Sequence, residues 1–298
     1  MTRPGGSQMR QASPGKAVEG AVYPVMRGTG EPRKRPAAIA TRVPSRLCIL
    51  AYHQIVPEPS GYLYSVTAAR FEEHIQFLRG MKNGGPEAAA LAQVTFDDGH
   101  ITCYHYALPL LEQHHAPATF FVTTEWIGRR PEFMTWAQLQ ELVALGHSVQ
   151  SHGWTHKLLT HCSDSELREE LRRSKLMLED RLGSAVNSIS APGGRWNRRT
   201  LRAAAAAGYQ EMYLSDPWLA PEEREGVRVL GRLMVHHHID ARRLRYLLEL
   251  RGAPLFLYRA LYGAKEAAKS MLGDAVYQRL WRWLARHDQS YAAPLEKP

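Results

Sequence analysis

The sequence predicts an α/β domain built on a parallel sheet, and three observations carry that prediction. Short apolar runs alternate with stretches of helical period from Leu47 onward. Residues able to do chemistry fall just after those runs, at the strand ends where α/β proteins place their sites. A chain of 298 residues is long enough for one large domain with appendages, or for two modest ones. Such alternation puts the strands parallel, in a sheet that is either open or closed into a barrel, and leaves their order open.

The elements follow in turn. Residues 47–52 form a buried strand that ends at His53. Phe71, Ile75 and Leu78 recur at helical spacing, and Gly84-Gly85-Pro86 stops that helix. The strand 91–96 delivers Asp97 and Asp98 at its C-terminal end. A helix over 104–115 follows, then a strand over 118–122. Thr135 caps a helix carrying Leu139, Leu142, Val143 and Leu145, closed by Gly146. The strand 147–151 delivers His152. Ser163 with Glu166 three residues on is a capping box, opening a long amphipathic helix to Leu182-Gly183. The strand 186–191 ends at Pro192-Gly193-Gly194, an Ala-rich helix 198–207 closes at Gly208, and 210–214 and 227–235 complete the strands.

Charge divides the chain into three. Residues 1–46 hold nine Lys and Arg against two acids and are rich in Gly, Pro and Ser, the composition of a disordered basic tail. Residues 240–298 hold eleven against six, with leucines at helical spacing among arginines. They read as amphipathic helices, either a cap on the domain or a membrane-surface contact in which Trp281 and Trp283 sit among Arg279, Arg282 and Arg286. The remaining 47–239 carries eighteen against twenty-one. The net +9 therefore lives in the ends, which argues against a nucleic-acid-binding core. Three cysteines without CxxC spacing make a disulfide framework improbable. No run suits a membrane span or a secretory signal, so the expected location is cytoplasmic, with basic ends able to meet the inner membrane face.

Two motifs carry the chemistry. Thr95-Phe96-Asp97-Asp98-Gly99 supplies two adjacent carboxylates, and Ser151-His152-Gly153-Trp154-Thr155-His156 supplies two imidazoles four residues apart. If the strand continues through Asp97 and Asp98, the two point to opposite sides, so one can bind a metal while the other faces water. One oxygen and two nitrogen ligands leave room for a water whose pKa a divalent cation lowers. The residue after His152 is Gly153 rather than Glu, so this is no zincin pair and its base must come from elsewhere.

Together these motifs resemble the polysaccharide deacetylases, the NodB-homology group or carbohydrate esterase family 4, over residues 47–235. The resemblance implies a distorted, incomplete (β/α) barrel. It implies Asp97 as general base and Asp98, His152 and His156 as ligands to one divalent metal, zinc by default, with Co, Ni, Fe or Mn also compatible. It places the Gly193 N–H in the oxyanion hole. His53 precedes the TFDDG motif, which resembles an exopolysaccharide branch with permuted motif order, and there it would protonate the leaving amine; the His236-His237-His238 run at the more usual position is the alternative. The family arginine that orients the base falls at Ser190, a departure that leaves Arg195 as a candidate partner. Trp154, Arg195, Asp216 and Trp218 are candidate sugar contacts. The implied activity is removal of N-acetyl groups from N-acetylhexosamine residues of a polysaccharide or lipid-linked precursor in envelope assembly. A deacylase of a non-sugar amide or O-acetyl ester, and a non-catalytic glycan-binding module, are the alternatives.

Overall fold

The computed structural model describes residues 48–82, 92–217 and 219–249, with scattered helical positions between 253 and 264. The tail expected over 1–46, the Gly84-Gly85-Pro86 stop, Leu91, Trp218 and most of the C-terminal helices, Trp281 and Trp283 included, lie outside the described residues. The chain divides into two units. The first, Met1–Ala40, lies outside the described residues, and everything below belongs to the second, Thr41–Pro298.

Eleven strands and six helices are described. β1 (Cys48–Tyr52), β2 (Gln54–Val56) and β3 (Ser65–Thr67) lead into α1 (Ala68–Lys82). β4 (Ala92–Phe96) is followed by a π-turn at Cys103–Ala107 and by α2 (Leu108–Gln113). The single helix expected over 104–115 is thus split; Pro109 lies in the first turn of α2, where its missing N–H is harmless. β5 (Ala118–Val122), α3 (Trp136–Ala144), β6 (Ser148–Ser151), α4 (Asp164–Leu182), β7 (Ser188–Ser190), α5 (Arg198–Ala206) and β8 (Glu211–Leu214) continue the alternation. β9 (Glu222–Arg224), β10 (Val227–Gly231), β11 (Leu233–Met234) and α6 (Ala241–Glu249) complete it. Capping boxes at Thr135 with Gln138 and at Ser163 with Glu166 start α3 and α4, and left-handed Gly183 ends α4.

The main sheet runs β11-β1-β4-β5-β6-β7-β8-β10-β9, parallel throughout except for the β10–β9 edge. Its two ends meet in the sequence. Gly231 of β10 pairs with Leu214 of β8, whereas Leu233 of β11 pairs with Leu50 of β1. Arg232 alone separates them, so one run of chain, expected as a single strand over 227–235, breaks at Arg232 and bridges both sides of a curled sheet. This is the incomplete (β/α) barrel of the sequence reading.

Alternation along the strands sorts the core. Leu50, Phe120, Met212 and Val229 join the large cluster beneath α1, α4 and α5, with Phe71, Leu171 and Leu201. Their neighbours Ile49, Phe121, Tyr213 and Leu230 form a separate small cluster on the enclosed face. Each such buried side chain contributes about 1.5–3 kcal/mol. α6 joins the same core through Leu244 and Leu247, so the C-terminal extension begins as a cap on the domain.

Candidate active site

The parallel strands deliver the site at their C-terminal ends. The Asp97 N–H still donates to the Tyr52 carbonyl at 2.8 Å, but Asp98 takes φ 71°, the left-handed region that Asp tolerates better than most residues. The strand does not continue through the pair. A turn, not strand alternation, parts the two carboxylates.

Asp97 points into the enclosed interior, where Arg232 meets it. The guanidinium donates from Nη1 to Oδ1 and from Nη2 to Oδ2, both at 2.7 Å. Its remaining bonds go to Thr95 Oγ1 at 3.2 Å and Ser190 Oγ at 2.7 Å. Ser190 itself donates to Asp97 Oδ2 at 3.2 Å. Ser190 stands where the resemblance places an arginine, and it is Arg232, from the strand junction, that pairs with Asp97. Burial pushes the Asp97 carboxyl up, but Arg232 and His152 outweigh it and hold it below its ordinary value.

Asp98 faces two imidazoles. His152 follows β6, and its Nδ1 lies 2.9 Å from the Ser190 carbonyl. A carbonyl only accepts, so Nδ1 carries the proton and Nε2 presents a lone pair. His152 Nε2 and His156 Nε2 each lie 3.3 Å from Asp98 Oδ1. One donor atom from each of the three residues falls within 4.8 Å of the others. Asp98 Oδ1 is buried and accepts no hydrogen bond. An orphaned carboxylate oxygen facing two imidazole nitrogens is a donor set that fits one divalent cation, with an open position left for water or substrate. Burial pushes the Asp98 carboxyl up, yet His152 and His156 hold it well below the usual carboxylate range. Burial pulls His152 down, while Asp97 and Asp98 together raise it. Protonation and cation binding therefore compete for this site.

His53 leaves β1 beside these groups. Its Nδ1 is buried without a hydrogen-bond partner, and its ring stacks on Tyr64 at 5.0 Å. Burial lowers its pKa against the pull of Asp98 and Asp97. In the His236–His238 run, the His237 carbonyl accepts from Arg70, and its N–H donates to the Leu63 carbonyl at 3.1 Å. Gly193 sits in the turn Pro192–Gly194 after β7, at φ 63°, and an added Cβ would come 2.7 Å from Leu158 Cδ2. Left-handed backbone without a side chain suits a position where a peptide N–H must approach substrate closely. Arg195 closes the same turn, half-buried. The Asp216 carbonyl abuts Gly231, where any Cβ would collide with it.

Trp154 is not an open sugar platform. Its side chain is buried, and the Arg173 guanidinium lies 4.1 Å from the ring centroid. The half-buried ring that does adjoin the centre is Trp126, 5.1 Å from His156 and 4.6 Å from Phe133. Sequence reasoning passed over Trp126 and Arg232. Trp126 lies in a loop with no motif; Arg232 left one trace, a cation inside an apolar run.

A curled parallel sheet carrying a carboxylate–arginine pair beside an Asp/His/His donor set defines a hydrolase site. The polysaccharide deacetylase family profile matches residues 84–212, which span both motifs and the Pro-Gly-Gly turn but neither His53 nor Arg232. The protein YxkH of Bacillus subtilis (strain 168) is 31% identical over 213 residues, 67% of this chain and 75% of that one. A chitooligosaccharide deacetylase of Bradyrhizobium sp. (strain ANU 289) is 33% identical over 133 residues, 43% of this chain and 58% of that one. Among solved structures, the Streptococcus pyogenes deacetylase PplD in complex with acetate superposes with a TM-score of 0.61 at 26% identity, covering 70% of this chain and 100% of that one. The chain belongs to the polysaccharide deacetylase family, enzymes that hydrolyse amide C–N bonds.

Proposed function

We propose that this enzyme removes N-acetyl groups from N-acetylhexosamine residues of a polysaccharide or glycolipid precursor, using one divalent metal held by Asp98, His152 and His156. The observation that carries the reading is the convergence of those three donors on a buried, unpartnered oxygen beside the Asp97–Arg232 pair. A divalent cation, zinc by default, would supply Lewis acidity and a lowered water pKa there. Asp97, kept ionised by Arg232, accepts the proton of the attacking water. Water adds to the acetamide carbon, and the Gly193 N–H donates to the developing oxyanion. His53 protonates the leaving nitrogen as the C–N bond breaks, so that acetate and a free amine result. A pKa lowered by burial makes its imidazolium the stronger acid. Glycan substrates are supported by the half-buried rings on either side of the centre, Tyr64 against His53 and Trp126 against His156. Arg195 and Asp216 lie on the strand-end loops, where they can contact sugar hydroxyls.

A lipid-linked intermediate of envelope polysaccharide assembly accords with α6, which exposes Arg242, Arg243, Arg245 and Tyr246. Among the described residues no helix is long and apolar enough to cross a membrane. The test is acetate release from N-acetylglucosamine oligomers by wild type, Asp97→Asn and His152→Ala. Wild-type turnover abolished in both variants supports the reading, and variants as active as wild type would end it.

A further inference from the structure

The two imidazoles of the donor set are carried by a loop whose shape is set from outside it. Residues 152–156 need left-handed backbone at Gly153 (φ 80°) and again at His156 (φ 66°). For histidine such a conformation costs on the order of 1 kcal/mol or more and persists only where surrounding bonds over-determine it. Those bonds converge on one buried side chain of α4. Glu170 Oε2 accepts the N–H of Trp154 and the N–H of Thr155, each at 2.9 Å. Its Oε1 accepts the Thr155 hydroxyl. Glu170 is 4% exposed. One helical turn further on, Ser174 lies 2.8 Å from the hydroxyl of Ser151, which precedes His152, and 2.7 Å from that of Thr124. Positions i and i+4 of α4 thus grip the chain on both sides of His152. From the far side, the Trp154 carbonyl accepts from Glu125 N–H at 2.9 Å.

We infer that Glu170 is a positioning residue for the metal centre: a buried carboxylate that sets the spacing of His152 and His156 by holding the two peptide N–H groups between them. It touches neither substrate nor cation. An ionised acceptor suits the task, because a carboxylate takes three hydrogen bonds and charge assistance roughly doubles each. The amide of Gln is uncharged and keeps a single acceptor oxygen, so it can accept from the two N–H groups or from the Thr155 hydroxyl but not from both sides. Removing partners that orient ligands typically weakens metal binding 10–100-fold.

The inference rests on the metal-site reading, and its test separates the two. Zinc affinity of the metal-stripped full chain is measured by chelator competition for wild type, Glu170→Gln and Thr155→Val. Hydrogen exchange of the Trp154 and Thr155 amides is followed on the metal-free proteins. Expected is a Kd raised about 10–100-fold in Glu170→Gln and less in Thr155→Val, with faster exchange at both amides in Glu170→Gln. A Kd within about twofold of wild type in Glu170→Gln would overturn it. Should Glu170→Gln fail to fold, the inference stands or falls on whether Thr155→Val weakens zinc. Should wild type bind no zinc, the metal reading fails, and unchanged amide exchange in Glu170→Gln would overturn the clamp as well.

Discussion

Replacing Arg232 by Met would strip the guanidinium paired with Asp97 and leave a carboxylate stranded at 3% exposure. The arginine contributes four hydrogen bonds, two of them the 2.7 Å fork on Asp97. Breaking one side of a buried ion pair costs about 3–5 kcal/mol, mostly because the remaining charge is uncompensated. At about 2–4 °C per kcal/mol for a domain of this size, the melting temperature would fall by roughly 6–20 °C. The origin of the cost distinguishes this account from a packing effect. In an Asp97→Asn background no charge is left behind, so the same Arg232→Met change should cost at least about 2 kcal/mol less. Urea unfolding of the four proteins of that double-mutant cycle measures the difference. Arg232→Lys keeps the charge but cannot make the fork, and should fall between wild type and Met. Additive costs, or an Arg232→Met protein within about 1 kcal/mol of wild type, would refute the argument.

Three further outcomes are expected. His74 is buried, its ring within 3.0 Å of the Tyr52 hydroxyl and of the Ile239 carbonyl, and burial pulls its pKa down from 6.5 to about 4. Between those values the unfolded chain takes up a proton that the folded chain refuses. The stability this neutral ring secures is whole above pH 6.5 and falls by about 3 kcal/mol on acidification to pH 4; unfolding followed against pH should show that slope, flattened in His74→Gln. Gly231→Ala would drive a Cβ into the Asp216 carbonyl, a backbone atom that cannot swing aside, and should cost about 1–3 kcal/mol by thermal unfolding. His53→Gln should lower the rate of acetate release about 10²–10⁴-fold with zinc affinity kept within about threefold; unchanged turnover would return the proton-donor role to the His236–His238 run.

Much of this was legible because it is local. Apolar runs and caps placed β1, β4, β5, β6, α3 and α4 within a residue or two. The two motifs picked out Asp98, His152 and His156, whose donor atoms lie within 4.8 Å of one another, because each motif is a short local segment, although the loop that carries both imidazoles takes its shape from α4. What stayed hidden depends on curvature. Arg228 and Arg232 sit at the same parity of one apolar run, yet Arg228 is exposed and Arg232 fully buried. Both lie on the face of buried Leu230; what buries Arg232 is its place at the β10–β11 junction, between β8 and β1, and strand order is not written in hydrophobic period. Trp154 misled for the converse reason: an aromatic inside a motif looks available until α4 lays Arg173 over it. Trp126 belongs to a loop whose approach to His156 depends on how β5 and β6 stagger.

Acetyl removal should depend on a cation held by Asp98, His152 and His156. The measurement that tests it most directly is acetate release from N-acetylglucosamine oligomers by protein stripped of metal and then titrated with zinc. No release is expected from the stripped protein and full recovery at about one equivalent per chain, with none recovered by His152→Ala. Turnover that survives stripping, or that His152→Ala retains, would contradict it.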